Sequence, residues 1–333
     1  MSQMAVSIIV PVYNVEKYIG RCVCSLFEQR SDNFEYIFVN DCSIDKSIEI
    51  LQQVMEKYPH RASQVKIINH EINKGVSASR NTGLVHATGK YIGWVDSDDW
   101  VDDEMFGAMY QMAEDTNADI VWCDFYSCYG NETKDWILKR QACNEDRIAL
   151  LKGLLNGGLH GSLCNSIARR QLYIDHKIVF SPDINLMEDK MVSIQLRYYA
   201  QKCTYIPNAY YFYNQTNRHS ITSSSKNEIN NLDSGIKSIQ IIQAFLESNK
   251  EGIDFSEDFN YAKLAFKDYY FHSFTVQGFK IWKQIFPEAN AYFFNSRVIP
   301  LKDKLIGRMV INDYWWLLKL CIRFRNLIKH SYR

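Results

Sequence analysis

Three carboxylates within four residues, Asp96, Asp98 and Asp99, close an apolar run from Tyr91 to Val95. The run reads as a buried strand, and in open α/β sheets ligands bind outside the carboxyl ends of the strands. Carboxylates crowded there raise one another's pKa unless a cation shares their charge. Oxygen-only ligands suit a hard divalent ion, Mg²⁺ or Mn²⁺, which commonly shares its shell with phosphate oxygens. An isolated Asp-x-Asp is more often a solvated turn, so the surrounding chain has to decide. A second acidic pair, Glu188-Asp189, opens a run with helical spacing through Val192, Leu196 and Tyr199. Acids in a first helical turn ordinarily only complement the helix dipole.

The elements that would position these groups alternate. Val6–Val10, ended by Pro11, Phe34–Val39, Val65–Ile68, Tyr91–Val95 and Ile120–Cys123 read as strands. Between them, helical spacing is predicted from about Glu16, after Ser43 or Asp45, over Ser77 to His86 and over Asp102 to Asp115. Alternation at this spacing predicts βαβ units and a mostly parallel sheet flanked by helices. Four polar turns follow the first four strands: Tyr13-Asn14, Asn40-Asp41-Cys42-Ser43, Asn73-Lys74-Gly75 and Asp96-Ser97-Asp98. All four are expected at one sheet edge. From about Asp124 the pattern loosens. After the polar break Ser220 to Ser225 the chain reads as helical over Asn227–Ser248, Phe259–Phe286 and from Leu301 onward.

Composition narrows the classes. The 333 residues are 47% hydrophobic and 23% charged, with Lys+Arg and Asp+Glu both 38, so no charge excess argues for a nucleic-acid partner. Nine cysteines form no Cys-x-x-Cys pair, and scattered thiols suit a reducing compartment. No signal peptide or membrane-spanning run is evident, which makes the cytoplasm the expected location. From Leu301 to Arg333, eight Lys/Arg against two Asp give 8 − 2 = +6. With Trp315, Trp316, Leu320 and Phe324 among them, the stretch from Asn312 reads either as an interfacial helix on an anionic membrane or as a helix packed on the rest of the chain.

Together, Val6 to Asn14, Asn40-Asp41-Cys42-Ser43-Ile44-Asp45, Asn73 to Gly83 and Asp96-Ser97-Asp98-Asp99 resemble the family-2 glycosyltransferases, which have the nucleotide-sugar-binding GT-A fold. The resemblance covers residues 5 to 222, with Glu188-Asp189 and Tyr213 through Ser220-Ile221-Thr222 resembling later family features. It implies that Tyr13 lies on a uracil ring and that Asp41 accepts the ring N–H. Arg80 and Asn81 would approach the nucleotide or diphosphate. Asp96 would reach the ribose and the metal shell, Asp98 would ligate the metal, and His219 would touch diphosphate or metal. Pro11, Asn14 and Ser97 sit in the same motifs and are grouped with the donor-binding positions. Asp189 would be the general base, with Glu188 beside it. Asn40 and Cys42 depart from the Asp and Gly common in the family, and Ser79 replaces a frequent Ala.

The reading that follows is a GT-A domain over residues 1–225 with a helical extension over 226–333. Its expected activity is metal-dependent, inverting transfer of a hexosyl or N-acetylhexosaminyl group. The donor would be a nucleotide sugar, most readily a UDP-sugar, and Mn²⁺ or Mg²⁺ the cofactor. A saccharide or lipid-linked saccharide in cell-surface polysaccharide synthesis would accept, at the inner face of a membrane. The alternative is a non-catalytic sugar-nucleotide-binding module. A phosphatase with an Asp-x-Asp nucleophile is disfavoured by Trp100, which stands where Thr or Val is needed.

Overall fold

Four of the five residues from Val6 to Val10 are β-branched, and all five are buried; such side chains pack well on a pleated surface. In the computed structural model they form an interior strand of a nine-stranded sheet. The structure describes residues 4–141, 144–182, 184, 186–217, 228–249, 252–295 and 299–331, with the backbone alone for 228–231 and 326–331. His219, Asn185 and Ser220-Ile221-Thr222 lie outside the described residues.

The first half alternates as expected: β1 (Val6–Val12), α1 (Ile19–Phe27), β2 (Phe34–Asn40), α2 (Ser47–Lys57), β3 (Val65–Asn69), α3 (Val76–His86) and β4 (Tyr91–Trp94). Here β1 pairs in parallel with both β2 and β4, and β2 with β3. The second half contains β5 (Trp100–Val101), α4 (Met105–Thr116), β6 (Ile120–Cys128), β7 (Trp136–Lys139), α5 (Arg147–Asn156), β8 (Ser166–Arg169), α6 (Arg170–Asp175), α7 (Glu188–Tyr199) and β9 (Cys203–Asn214). The sheet runs β3-β2-β1-β4-β8-β6-β9-β5, with β7 beside β6.

Parallel pairing continues between β6 and β9, whereas β8, β5 and β7 pair antiparallel with their neighbours, so the sheet is mixed. Neither β8 nor β9 was legible as a strand. Four residues give β8 too short a pattern, and register shifts on either side of Asp124 interrupt the alternation along the β6–β9 pair. At the sheet edge away from the polar turns, buried Glu35 accepts Ser7 Oγ at 2.5 Å and Thr88 N at 2.6 Å, and pairs with Lys66 Nζ at 2.8 Å.

One compact unit comprises Met1–Leu154 with Gly158–Ile242, and the other Leu155–Gly157 with Gln243–Arg333. The division falls inside α8 (Glu228–Ser248) rather than at residue 225. The second unit is helical: α9 (Ser256–His272), α10 (Val276–Gln284), α11 (Asn290–Asn295), α12 (Leu301–Ile311) and α13 (Trp315–Ser331). Its core gathers Phe271, Phe279, Trp282 and Phe293, with Phe271 at centroid distances of 5.2–5.5 Å from the other three. Buried Lys267 donates to Ile285 O, at the carboxyl end of α10, and to Asn290 Oδ1, both at 2.7 Å.

Helix α3 lies so close on β1 that a Cβ at Gly83 would overlap Ile9 Cγ2. In an open helix, Gly→Ala gains up to about 1 kcal/mol of helix propensity. Here overpacking should reverse the sign, and Gly83→Ala is expected to lose about 1–3 kcal/mol in denaturant unfolding. A variant as stable as wild type would show that α3 can lift off β1 without cost.

Candidate active site

Register brings the polar turns together. Val12 pairs with Asn40, Asn40 with Asn69, and Ile9 with Trp94, so Tyr13, Asp41, His70 and Asp96 all emerge at one sheet edge. Asn14 (φ 50°) and Cys42 (φ 62°) occupy the left-handed region. That explains why glycine suits position 42, since glycine reaches positive φ at no steric cost. Asn40 takes over the turn-bracing role of an aspartate: its Oδ1 accepts Ser43 N at 2.9 Å and its Nδ2 donates to Asn69 Oδ1 at 2.8 Å. Tyr13 is 48% exposed and leaves a ring face open to a planar ligand.

Asp41 is buried, and its carboxylate orders the next turn. Lys74 N donates to Oδ1 and Gly75 N to Oδ2, each at 2.8 Å. Because a carboxylate only accepts, His70 Nδ1, 2.8 Å from Oδ1, must carry the proton. His70 Nε2 then faces Thr82 Oγ1 at 2.9 Å. No spacing in the sequence pointed to His70. Asn81, expected near the donor, has both ends of its amide on the Phe180 backbone, at 2.7 and 2.9 Å. Pro11 is half-buried at the end of β1, Asn14 Oδ1 accepts Ile44 N at 3.0 Å, and Ser97 is buried.

The three aspartates after β4 occupy different environments. Asp99 is buried, accepting Tyr211 Oη at 2.5 Å and Asn214 N at 2.7 Å, and thereby ties β9 to the acidic turn. Burial, with Asp98 and Asp96 alongside, holds its pKa well above the carboxylate range. Asp98 Oδ2 accepts Asn217 Nδ2 at 2.8 Å, and burial together with Asp96 pushes its pKa up to about 6. Asp96 is about a third exposed and pairs with Arg80 Nη2 at 3.0 Å. Among the described residues no three His, Cys, Asp or Glu side chains converge as a metal cage. Asp96 and Asp98 offer hard oxygen ligands in a site with excess negative charge, which fits an Mg²⁺- or Mn²⁺-class ion completing its shell with water and phosphate.

Arg80, on α3, is buried and joins that turn to α7. Its Nη1 lies 2.7 Å from Glu188 Oε1 and 2.5 Å from Asp189 Oδ1. The Asp189 contact is an ion pair without hydrogen-bond alignment, leaving buried Oδ1 with no donor among the described residues. Burial pushes Asp189 up to about 7, while Arg80 pulls it down and Glu188 and Asp96 push it up. Helix α7 starts after Met187 in the left-handed region (φ 64°), a strained conformation typical of functional sites. Thus both acidic pairs singled out in the sequence meet on one guanidinium.

Removing one member of a buried ion cluster leaves its partners uncompensated, at a cost of about 3–5 kcal/mol. Arg80→Gln should therefore be destabilised, and more at about pH 8 than at about pH 5.5. Asp189 without Arg80 has a raised pKa, so the folded state binds the extra proton and recovers stability as pH falls. Urea unfolding at the two pH values checks this; a loss independent of pH would mean that the carboxylates do not sense Arg80.

The family model for glycosyl transferase family 2 matches residues 7–176. The Bacillus subtilis (strain 168) protein EpsH is 30% identical over 255 residues, 75% of this chain and 72% of its own. A cholesterol galactosyltransferase of Borreliella burgdorferi is 30% identical over 331 residues, 92% of this chain and 85% of its own. Among solved structures, S. aureus TarS 1-349 in complex with UDP-GlcNAc matches with a TM-score of 0.68 at 19% identity, covering 94% of this chain and 92% of that one. At such identity the likeness speaks for the fold, which is GT-A. With an acidic strand end, four polar turns on one sheet edge and these relatives, the chain belongs to glycosyl transferase family 2 and is a glycosyltransferase.

Proposed function

We propose that this enzyme transfers a sugar from a UDP-sugar to a hydroxyl of a saccharide or lipid-linked saccharide, in a metal-dependent, inverting reaction. The observation that carries the chemistry is Asp189: a half-buried carboxylate at the start of α7 whose Oδ1 is held by Arg80 and whose pKa burial pushes up to about 7. A base is most effective when its pKa lies near the working pH. The acceptor oxygen attacks the anomeric carbon as its proton passes to Asp189. The bond from that carbon to the diphosphate breaks, and its electron pair leaves with UDP. Attack opposite the leaving group converts an α-linked donor into a β-linked product.

Donor binding is assigned to Tyr13 stacking on uracil, with Asp41 at its edge and Pro11, Asn14 and Ser97 in the surrounding turns. Asn81 contributes through its clamp on the Phe180 backbone. Asp96 and Asp98 would hold the divalent ion, with His219 as a further ligand from outside the described residues; when bound, the ion offsets charge on the leaving diphosphate. Arg80 adds positive charge in a water-poor setting. TarS was solved with UDP-GlcNAc, which supports a UDP-linked donor here.

The second unit supports work at a membrane surface. Trp316 (65% exposed), Leu320 and Phe324 recur every four residues on α13, while Leu318 is buried. Exposed Leu301 and Leu305 on α12 belong to the same +6 stretch, with Lys302, Lys304, Lys319 and Arg323. No helix among the described residues is long and apolar enough to cross a membrane. An aromatic, basic helix face of this kind suits peripheral binding to an anionic leaflet, at the inner face of the membrane, where cell-surface polysaccharides are begun on lipid carriers. A relative named for galactosyl transfer to cholesterol accords with a lipid acceptor.

Kinetics, UDP binding and vesicle sedimentation test these assignments. Asp189→Asn should lose about 10²–10⁴-fold in turnover of donor, including donor hydrolysis, while UDP affinity stays near normal. In wild type, kcat/KM should rise with pH through about 7 as Asp189 deprotonates, and Asp98→Asn should abolish the effect of Mn²⁺ on UDP binding. If only Glu188→Gln failed, the base would move one residue; if neither variant lost turnover, Glu188 and Asp189 would be structural and the base would lie elsewhere. Sedimentation with anionic vesicles should show salt-sensitive binding, worth about 1 kcal/mol per basic residue at the surface. The double variant Trp316→Ser, Phe324→Ser should lose it; unchanged binding would rule out the α13 face.

A further inference from the structure

The residue after the candidate base is a lysine without a counter-charge among the described residues. Lys190 sits in the first turn of α7, and its Nζ has no carboxylate or other acceptor among the described residues. Burial alone lowers its pKa, to about 8. Lys190 is half-buried, and an ammonium drawn out of water without a partner is costly. His160 feels both Lys190 and Lys139, which together with burial hold its imidazole below the usual value. His160 Nδ1 accepts Ser162 N at 3.3 Å, which leaves the proton of the neutral ring on Nε2, a donor with no acceptor among the described residues. The ring is held against Phe125 at a centroid distance of 4.9 Å, and His160 N donates to Gln141 Oε1 at 2.9 Å.

The same short strip of chain reaches the base. A Cβ at Gly161 would lie 3.0 Å from Cβ and Cγ of Lys190, so the strip packs on the lysine stem. Two residues further on, the backbone N–H of Leu163 favours the charged form of Asp189. Residues 160–163 therefore border the first turn of α7, with the His160 donor beside Lys190 at one end and the base at the other. Asp189 is matched by Arg80, whereas Lys190, Lys139 and His160 pair with no anion among the described residues.

We propose that Lys190, His160 and Lys139 form an acceptor subsite for a phosphate ester, so that the hydroxyl activated by Asp189 belongs to a chain that also carries a phosphate. This rests on Asp189 being the base. Three donors without a carboxylate match the acceptor oxygens of a phosphate mono- or diester, which charged donors bind through short, strong hydrogen bonds. The subsite lies on the acceptor side, apart from the diphosphate of the donor, and it would orient the attacking hydroxyl by holding the acceptor a short distance away.

The test uses the full chain with UDP and Mn²⁺ at saturation, so that the donor site is filled before an acceptor probe is added. Calorimetric titration then compares glycerol 3-phosphate, the diester glycerophosphoglycerol, glycerol and inorganic phosphate. Wild type should bind at least one ester about tenfold or more tightly than glycerol, the factor that one charged hydrogen bond supplies. Lys190→Met should remove that preference and Lys190→Arg should keep it. A stronger monoester than diester would point to a phosphate at the chain end, and the reverse to a phosphate within the chain; either supports the subsite. Equal binding of glycerol and the esters, an ester preference surviving in Lys190→Met, or inorganic phosphate binding as tightly as the esters would overturn it. Absence of UDP binding in the first step would instead defeat the donor assignment, which keeps the two failures distinguishable.

Discussion

The arrangement depends on one buried guanidinium. Arg80 touches Asp96, Glu188 and Asp189 at 2.5–3.0 Å, and these residues come from a strand end and a helix start separated by some ninety positions in the chain. Without it, like charges from two elements would repel across a site shielded from water. With it, the donor side and the acceptor side of the cleft share a common point, and Asp189 is held between two influences. Burial raises its pKa and Arg80 lowers it, leaving the group near neutrality. A carboxylate in that balance can take a proton during reaction and release it afterwards.

Around this pair, the parallel and mixed halves of the sheet do different work. The parallel half supplies turns: Asp41 receives two backbone N–H groups and a histidine, which holds the entry to α3 and so aims Arg80. The mixed half supplies support for the acidic turn. Tyr211 and Asn214 on β9 bind Asp99, and Asn217 just beyond binds Asp98. Asp99 is thus a brace within the protein, leaving Asp96 and Asp98 as the carboxylates available to a ligand. Three adjacent acids of similar intrinsic pKa are given separate tasks by burial and hydrogen bonding alone.

The left-handed residues show how closely the turns are specified. Asn14, Cys42 and Met187 lie at the site with φ between 50° and 64°. For residues with a side chain this conformation is sparsely populated and persists where the surroundings over-determine it. At Cys42 the thiol reaches Glu71 O at 3.6 Å, and Asn40 braces the same turn, so the turn keeps its shape without a glycine.

Local pattern determined the first half of this protein. Apolar runs marked β1 to β4, polar turns followed each, and because alternating βα units have a single favoured hand, those turns had to collect at one edge. The acidic turn and the Glu188-Asp189 pair were visible as candidates, and their order in the chain carried the family resemblance. What tertiary structure alone decided was the use of each group. Asp99 became a brace through partners 112 and 115 residues away, and Asn81 became a backbone clamp through Phe180, 99 residues away. His70, Asn217 and Lys190 had no spacing to announce them, because what matters at each is a partner, or the lack of one, set by chain packing. Periodicity reports which face of an element is apolar. It carries no information about which distant polar group will meet another, and in this site those meetings set the role of every carboxylate.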